Sequence, residues 1–380
     1  MEEKMKKQLT VFKVISVVLC VALIIVSVCY IAGVGYTGSD TSQRSVVDKS
    51  ITSSKSSDPL SLWNDSAKLK SELTSYVKDV TKEGGKDYIP VADRIAVFDF
   101  DGTLFNETDP YYFDFMLYMY RVTEDPEYKD KASDFEKEVA NRILAVVNGA
   151  KDDALMQDHG RAIATAFQGM TIDEFNEYVR KFMQMDMPSY TGLQRGDGFY
   201  KPMLQVIDYL EANDFKVFIV TGTDYIINRG LVSNSTLLNT PMEQIIGSNQ
   251  SIVGANQAGK DGFEYTLRDD KVVLGNEFLI KNLNMNKVSA IVQKIGKQPV
   301  LAFGNSSSDA SMLNYAINNN NYKAGAYMLC CDDLDRENGN TSKAEKMVKE
   351  SEENRWTPVS MKNDWKTIYG DGVTYKGAAK

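Results

Sequence analysis

The stretch Arg94-Ile-Ala-Val-Phe-Asp99-Phe-Asp101-Gly102-Thr103-Leu104 decides the predicted fold, because it joins a short apolar run to two carboxylates. A short apolar run that ends in polar groups is typical of a buried strand. Once the strand ends, two carboxylates on alternate residues can both face one ligand, and Gly102 lets the backbone turn beneath them. The stretch therefore predicts a strand that delivers Asp99 and Asp101 to a site.

Two later runs have the same form, Lys216-Val-Phe-Ile-Val-Thr221 and Pro299-Val-Leu-Ala-Phe-Gly304. Each ends in polar residues and is followed by a helical pattern. Strands that alternate with helices indicate an α/β fold with a parallel sheet, and such sheets bind ligands beyond the carboxyl ends of their strands. We therefore expect the polar tips of the three strands to converge on one crevice.

The chain between the first two strands is too long for a βα loop and is patterned as helices. Apolar residues four apart predict one helix: Phe135, Val139, Ile143 and Val147. Thr171 and Glu174 form a capping box that predicts the start of another helix, which continues to Met183. The pattern predicts a helical cap domain over 105–200, inserted into a core formed by 63–104 and 201–380.

The N-terminal region predicts a membrane anchor. Val14 to Tyr36 form an uncharged, mostly apolar run, and the four lysines before it favour a cytoplasmic segment over 1–13. A serine-rich linker is expected over 37–62. These features predict a single-pass protein of the cell membrane, with the lipid bilayer as a partner and the folded body outside the cytoplasm. The alternative is a cleaved signal peptide, which predicts a secreted protein.

Composition excludes some classes of function. The 380 residues are 43% hydrophobic and carry a formal net charge of -9, which fits a globular protein and argues against a nucleic-acid partner. His159 is the only histidine, which argues against a zinc site or a histidine-based phosphatase.

The stretch from Asp99 to Leu104 resembles the first motif of the haloacid dehalogenase superfamily, and three later segments match the remaining motifs in order. The resemblance implies a Rossmann-like core and a phosphatase activity. It also implies that Asp99 is the nucleophile, which forms an aspartyl-phosphate, and that Asp101 is the general acid and base.

The other motifs supply the remaining candidate residues. Thr221 and Gly222 match the second motif, which binds a phosphoryl oxygen. Lys287 matches the third, whose lysine neutralises the nucleophile and the phosphoryl group, although two nearby lysines compete for this place: Lys281 and Lys294.

The segment Gly304-Asn305-Ser-Ser-Ser-Asp309 resembles the fourth motif, which holds Mg²⁺ together with the first motif. The implied metal ligands are Asp99, Asp101, Asn305 and Asp309. Many members have Asp at the place of Asn305, and an amide oxygen brings no charge to the ion.

The order of the segments is similar to the phosphoserine phosphatase branch. Within that branch, the stretches Tyr200-Lys-Pro-Met-Leu-Gln and Phe218-Ile-Val-Thr-Gly, with a tethered or secreted body, resemble bacterial phosphorylcholine phosphatases. The resemblance implies a small phosphomonoester as substrate, such as phosphocholine or a phosphoserine-like compound. Aromatic side chains follow the first motif and can hold a quaternary ammonium by cation–π attraction or simply pack the cap: Tyr111, Tyr112, Phe113, Phe115, Tyr118 and Tyr120. Two other functions stay open, a phosphomutase of the same superfamily and a catalytically weak phosphate-binding module.

Overall fold

The apolar run before Asp99 forms the first strand of a layered α/β structure, which a computed structural model describes for residues 58–255, 265 and 270–378. The strands in these ranges are β1 (Ile95–Phe98), β2 (Tyr190–Thr191), β3 (Lys216–Asp224), β4 (Ile245–Gly254), β5 (Val272–Ile280), β6 (Leu301–Gly304), β7 (Gly325–Cys330), β8 (Thr357–Ser360) and β9 (Thr374–Tyr375). The α-helices are α1 (Lys68–Thr81), α2 (Phe113–Thr123), α3 (Asp134–Val147), α4 (Leu155–Ala166), α5 (Ile172–Met183), α6 (Lys201–Glu211), α7 (Tyr225–Asn234), α8 (Met285–Lys294), α9 (Ala310–Ile317), α10 (Thr341–Asn354) and α11 (Met361–Asp364). Single 3-10 turns cover Val91–Asp93, Met242–Gln244 and Ser307–Asp309.

The main sheet is mostly parallel, as the sequence predicts. Within the described ranges it has seven strands in the order β5-β4-β3-β1-β6-β7-β8. β1 pairs in parallel with β3 and β6, so the three strands predicted from apolar runs lie side by side. β4 pairs in parallel with β3, and β5 pairs antiparallel with β4 at the edge of the sheet. Parallel neighbours place the carboxyl ends of β1, β3 and β6 at the same edge of the sheet, which fixes where a site can form.

Both faces of the sheet are covered, which explains why its central strands are continuously apolar. Alternate residues of β1 belong to two different clusters, with Ala96 and Phe98 in one and Ile95 and Val97 in the other. The smaller cluster contains apolar residues of α8, α9 and α10, and the larger one extends through α1, α6 and the helices that follow β1. The buried sheet therefore provides a rigid base for the loops at its carboxyl edge.

Helices α2 to α5 all lie in the stretch between β1 and α6. They pack on one another, on α7 and on β5. The chain enters and leaves this stretch through a short antiparallel contact, because the backbone N–H of Tyr200 donates to Leu104 at 2.9 Å and that of Asn106 donates to Gly198 at 2.8 Å. We call this contact the neck. The predicted division into a core and a cap at 105–200 stays a prediction, although the helices themselves are observed.

The predicted membrane location needs correction. None of the helices in the described ranges has the length and apolar character needed to cross a membrane, so the structure gives no support for a membrane location, and we do not assign one. The proposed span at 14–36, the segment 1–13 and most of the linker at 37–62 lie outside the described residues. Of that linker, residues 58–62 are described, and Leu60 is fully buried in the core.

Candidate active site

The carboxyl ends of β1, β3 and β6 meet at a cavity of about 290 Å³, which the loop after β5 also lines. Four of the predicted site residues line it: Asp99, Asp101, Gly222 and Asn305. Three others lie behind its wall: Thr221, Lys287 and Asp309. The sequence motifs, which are distant along the chain, are therefore brought together as expected from the parallel sheet.

A larger cavity, of about 630 Å³, lies where β7 and β8 begin and is lined by Gly325 and Thr357 among others. These are the amino ends of the strands, opposite the edge at which parallel sheets bind ligands. The smaller cavity contains buried carboxyl groups with raised pKa values, which are typical of functional sites. Its chemistry, and not its size, makes it the candidate active site.

Asp99 forms an ion pair with Lys287, which the helix α8 positions in its first turn. The ammonium of Lys287 donates to Oδ1 of Asp99 at 2.5 Å and to Oδ1 of Asp309 at 2.6 Å. Burial first and the charge of Asp309 second raise the pKa of Asp99, Lys287 opposes the rise, and the net result is a pKa of about 7. Burial lowers the pKa of Lys287, but the two carboxylates raise it more, so that the net shift is upward and the lysine stays charged. Of the three competing lysines, Lys287 is the one that contacts the predicted nucleophile.

Asp101 lies beside Asp99 with one oxygen bonded and one free. Its Oδ2 accepts a hydrogen bond from the Thr223 hydroxyl at 2.7 Å, while its Oδ1 is buried without a partner among the described residues. Burial, the charge of Asp114 and that of Asp99 raise the pKa of Asp101 well above its ordinary value, against the opposing hydrogen bond from Thr223. A raised pKa makes a carboxyl group better suited to donate a proton to a leaving group.

Gly102 is required by the close approach of two loops. Its φ is +76°, and a Cβ at this position would lie 1.8 Å from Nδ2 of Asn305. An alanine would therefore meet both backbone strain and a steric clash. The glycine allows the loop after β6 to place Asn305 directly against the turn that carries Asp101.

The second motif is arranged differently from the prediction. Thr221 is fully buried, and its hydroxyl accepts a hydrogen bond from the backbone N–H of Thr223 at 3.0 Å, so it faces its own chain. Thr223 and Gly222 line the cavity instead. The pairing of β3 with β4 shifts register between Val220 and Asp224. Thr223 was not named from the sequence, because the motif resemblance pointed to Thr221 at the end of the apolar run.

Asn305 contacts Glu107, a carboxylate that the motifs did not identify. Nδ2 of Asn305 donates to Oε2 of Glu107 at 2.8 Å, and Lys343 donates to Oε1 of Glu107 at 2.6 Å. Glu107 lines the cavity, so the charge missing at position 305 has a carboxylate next to it. Its short distance along the chain from Asp101 was the signal that could have identified it.

Asp309 holds the fourth-motif loop together. Its Oδ2 accepts from the backbone N–H groups of Asn305 and Ser306, each at 3.1 Å, while its Oδ1 accepts from Lys287. Asp309 is fully buried, and both of its oxygens are occupied. Gly304 permits this fold of the loop, because a Cβ there would lie 2.5 Å from Cβ of Asp309. The predicted role of Asp309 as a direct metal ligand stays a prediction and has less support than those of the cavity-lining residues.

The residues of the cavity fit a magnesium ion by their chemistry. Magnesium prefers oxygen ligands, and carboxylate or amide oxygens of Asp99, Asp101, Glu107 and Asn305 line the same cavity. The buried Oδ1 of Asp101 has no described partner, so this atom is free to interact with a group bound in the cavity. Across the described part of the chain, no three His, Cys, Asp or Glu side chains form a metal cluster by themselves. An ion here would therefore also need amide or backbone oxygens.

Comparison with known proteins identifies the family. The model of haloacid dehalogenase-like hydrolases matches residues 96–314, which is more than half of the chain and includes all four motifs. The chain belongs to the haloacid dehalogenase-like hydrolase family. The predictions that it is an enzyme and that it is a member of this superfamily are confirmed by this match.

Solved structures with a similar fold are remote in sequence. A conserved protein of unknown function from Anaerococcus prevotii DSM 20548 is 11% identical, with a TM-score of 0.47 over 79% of this chain and 94% of that one. Cytosolic 5'-nucleotidase IIIB bound to cytidine is 11% identical, with a TM-score of 0.46 over 80% and 90%. A phosphoserine phosphohydrolase-like protein from Francisella tularensis subsp. tularensis SCHU S4 is 16% identical, with a TM-score of 0.34 over 62% and 87%. No protein with a curated description matches the chain significantly.

Proposed function

We propose that this hydrolase is a phosphatase that cleaves a small phosphomonoester through a covalent aspartyl-phosphate on Asp99. One observation supports it most directly, namely that Asp99 lies in the wall of the cavity with the Lys287 ammonium 2.5 Å from its Oδ1. A carboxylate is a feasible nucleophile toward phosphorus, and a fixed positive charge beside it stabilises the negative charge of the transferring group.

The proposed reaction has two displacements. An oxygen of Asp99 attacks phosphorus, the bond from phosphorus to the leaving oxygen breaks, and Asp101 gives its proton to that oxygen. Asp101 then removes a proton from water, the water oxygen attacks the phosphorus, and the bond to Asp99 breaks to release phosphate. The raised pKa of Asp101, caused first by burial, suits the first of these proton transfers. Thr223 orients Asp101 through the hydrogen bond to its Oδ2.

We propose magnesium as the cofactor, held by side-chain oxygens of Asp99 and Asn305 and a backbone oxygen of Asp101, with Asp309 supporting the loop. When bound, the ion supplies positive charge that polarises the phosphoryl group. The chain's own residues position the reacting groups, because Asp309 fixes the backbone of Asn305 while Lys287 fixes Asp99.

We also propose that the helices in the stretch 105–200 act as a cap over the active site. Tyr112, Phe115 and Met156 come from this stretch and line the cavity together with the strand tips. They give the leaving-group side of the cavity an apolar wall, which helps to exclude water from the reaction. Such a wall fits a small organic leaving group.

The nucleophile is tested by changing Asp99 to Asn and measuring magnesium-dependent release of phosphate from para-nitrophenyl phosphate. We expect turnover to fall by about a thousandfold or more, since an amide cannot form the acyl phosphate and several kcal/mol of barrier return. Wild type incubated with a labelled substrate should retain a covalent phosphoryl group that hydroxylamine removes, and Asp99→Asn should not.

The matched control is Asp134→Asn on the exposed side of α3, which should leave turnover unchanged. Turnover of Asp99→Asn within tenfold of wild type contradicts the mechanism. A wild type that binds phosphate without releasing it from any phosphomonoester indicates a binding module, while transfer of the phosphoryl group to a second hydroxyl compound indicates a phosphomutase.

A further inference from the structure

Lys281 is one of the two candidate lysines that do not contact Asp99. It lies directly after β5, in a loop that is hydrogen-bonded to the end of β3. Nδ2 of Asn282 donates to the Thr221 carbonyl at 3.0 Å, and its backbone N–H donates to the Ser248 hydroxyl at 2.9 Å. The Ser248 hydroxyl in turn donates to the Gly222 carbonyl at 2.6 Å. The backbone that carries Lys281 is therefore held against the phosphate-binding motif before any substrate arrives.

The side chain of Lys281 is buried and charged without being paired. It is 6% exposed and lines the cavity. Among the residues that the structure describes, no acceptor bonds its ammonium and no carboxylate lies within 4.0 Å of it. By contrast, the buried ammonium of Lys287 contacts two carboxylates. A buried charge is costly unless it is paired, so the position of Lys281 fits an anionic partner supplied by a ligand.

The surroundings of Lys281 limit which anion fits. Burial raises the pKa of Asp114, and the positive charge of Lys281 opposes this rise. Oδ1 of Asp114 is buried without a described partner. The cavity wall already contains Asp99, Asp101 and Glu107. One ammonium among several carboxyl groups can compensate the single charge of a carboxylate better than the double charge of a second phosphate.

We propose that Lys281 is a specificity-determining residue that binds a carboxylate on the leaving group, so that the preferred substrates are small phosphomonoesters with a carboxylate. This proposal rests on the phosphatase function proposed above. The phosphoryl group lies at Asp99 and Lys287, the body of the leaving group lies against the apolar wall, and its carboxylate meets Lys281. At this end of the cavity Lys281 disfavours a quaternary ammonium, as in phosphocholine.

The test compares three substrates that differ mainly in the charge of the leaving group: 3-phosphoglycerate, glycerol 3-phosphate and phosphocholine. The full chain with magnesium should show a higher kcat/KM for 3-phosphoglycerate than for the other two. In Lys281→Met, which keeps the length and loses the charge, the ratio of kcat/KM for 3-phosphoglycerate to that for glycerol 3-phosphate should fall by about tenfold or more. The ratio of phosphocholine to glycerol 3-phosphate should rise.

Lys294→Met, which removes an exposed lysine of α8, is the matched control and should leave both ratios unchanged. Equal kcat/KM values of wild type for the three substrates, or an unchanged ratio in Lys281→Met, overturn the role of Lys281 while the phosphatase function stands. The wild-type comparison needs no variant, so it decides the matter even if Lys281→Met fails to fold. Absence of hydrolysis of every phosphomonoester by wild type overturns both proposals.

Discussion

At the scale of single residues, Lys287 and Asp309 work as one unit that fixes the nucleophile and the fourth-motif loop together. Lys287 bonds Asp99 and Asp309 at the same time, and Asp309 bonds the backbone of Asn305. The position of Asn305 is therefore coupled to that of Asp99 through two buried charged side chains. Because of this coupling, we expect a change of charge at residue 305 to affect both metal binding and stability.

We predict that Asn305→Asp tightens magnesium binding and weakens the metal-free protein. The substitution places a second carboxylate against Glu107, where Nδ2 of Asn305 now donates at 2.8 Å, so a hydrogen bond is replaced by repulsion when no cation is present. With magnesium, the added charge strengthens the attraction to the ion. Without the ion, the variant should unfold about 1–3 kcal/mol more easily than wild type, and magnesium should raise its Tm by more than it raises that of wild type.

The control for this measurement is Asn363→Asp, an exposed amide far along the chain from the site. Magnesium titrations of activity should also give a lower midpoint for Asn305→Asp and a higher one for Asp309→Ala. If magnesium raises the Tm of wild type and Asn305→Asp equally, and if Asp309→Ala is silent as well, this loop is not the metal site.

The sequence was informative about some site residues and not about others for physical reasons. The motif resemblance named Asp99, Asp101 and Lys287, and the structure brings them together because their motifs follow the end of a strand or begin a helix. Their catalytic roles stay predictions. Thr223 was not named, because the resemblance pointed to Thr221 at the end of the apolar run. Glu107 and Lys281 were not assigned because their roles depend on contacts between distant segments, which no local pattern contains.

At the scale of elements, the junction between β3 and α7 has a pH-sensitive cap. Asp224 ends β3 and caps α7, since its Oδ1 accepts a hydrogen bond from the backbone N–H of Ile226 at 2.8 Å. Burial raises the pKa of Asp224 to about 7, and this hydrogen bond and the charge of Lys281 oppose the rise. The folded protein therefore holds this proton to a higher pH than the unfolded chain does.

We predict that Asp224→Asn becomes more stable relative to wild type as the pH rises. A carboxyl whose pKa is higher in the folded state contributes stability below its unfolded pKa, near 3.9, and loses it as the pH rises through about 7. Asn also caps helices but does not titrate. Between pH 5 and pH 7, wild type should lose roughly 2–3 kcal/mol relative to the variant, at 1.36 kcal/mol per unit.

Urea unfolding of both proteins at pH 5, 6, 7 and 8 measures this difference. The free energy of unfolding of Asp224→Asn minus that of wild type should increase steadily up to about pH 7 and then level off. A difference that stays constant over this range shows that Asp224 is ionised in the folded protein at every pH tested.

Helices and strands were predictable where a single local pattern, such as an apolar run or a capping box, marks them in the sequence. The apolar runs before Asp99, Thr221 and Gly304 form β1, β3 and β6, and the capping box of Thr171 and Glu174 begins α5 as predicted. The antiparallel pair β4 and β5 was not predicted. The apolar residues of β5 are interrupted by Gly275-Asn276-Glu277, so this strand lacks the continuous apolar run that identified the other strands.

At the scale of the whole molecule, the buried side chain of Glu337 connects the neck to the C-terminal region. Glu337 is fully buried and accepts hydrogen bonds from Tyr369, from Tyr190 at 2.5 Å and from Asn106 at 2.8 Å. These three donors come from the neck, from β2 and from the segment after α11. The segment around Glu337 therefore holds together parts of the chain that are far apart in sequence.

We predict that Glu337→Ala destabilises the protein by about 3 kcal/mol, because several buried donors lose their shared acceptor. Glu353→Ala, on the exposed side of α10, should change the free energy of unfolding by less than about 0.5 kcal/mol. Urea unfolding at one pH measures both. A Glu337→Ala protein as stable as wild type indicates that water replaces the carboxylate and that Glu337 does not hold these segments together.

The neck described above brings the two ends of one continuous stretch of chain together. A backbone hydrogen bond joins Leu104, in the turn after β1, to Tyr200, directly before α6. One uninterrupted stretch of the gene therefore encodes the wall formed by Tyr112, Phe115 and Met156, while the nucleophile and its lysine are encoded outside it. Exchange of this stretch also replaces Asn106, Glu107 and Tyr190, so a working chimera must keep these three residues and their bonds to Glu337 and Asn305. Chimeras built at this junction are a direct way to give the same catalytic groups a different choice of leaving group.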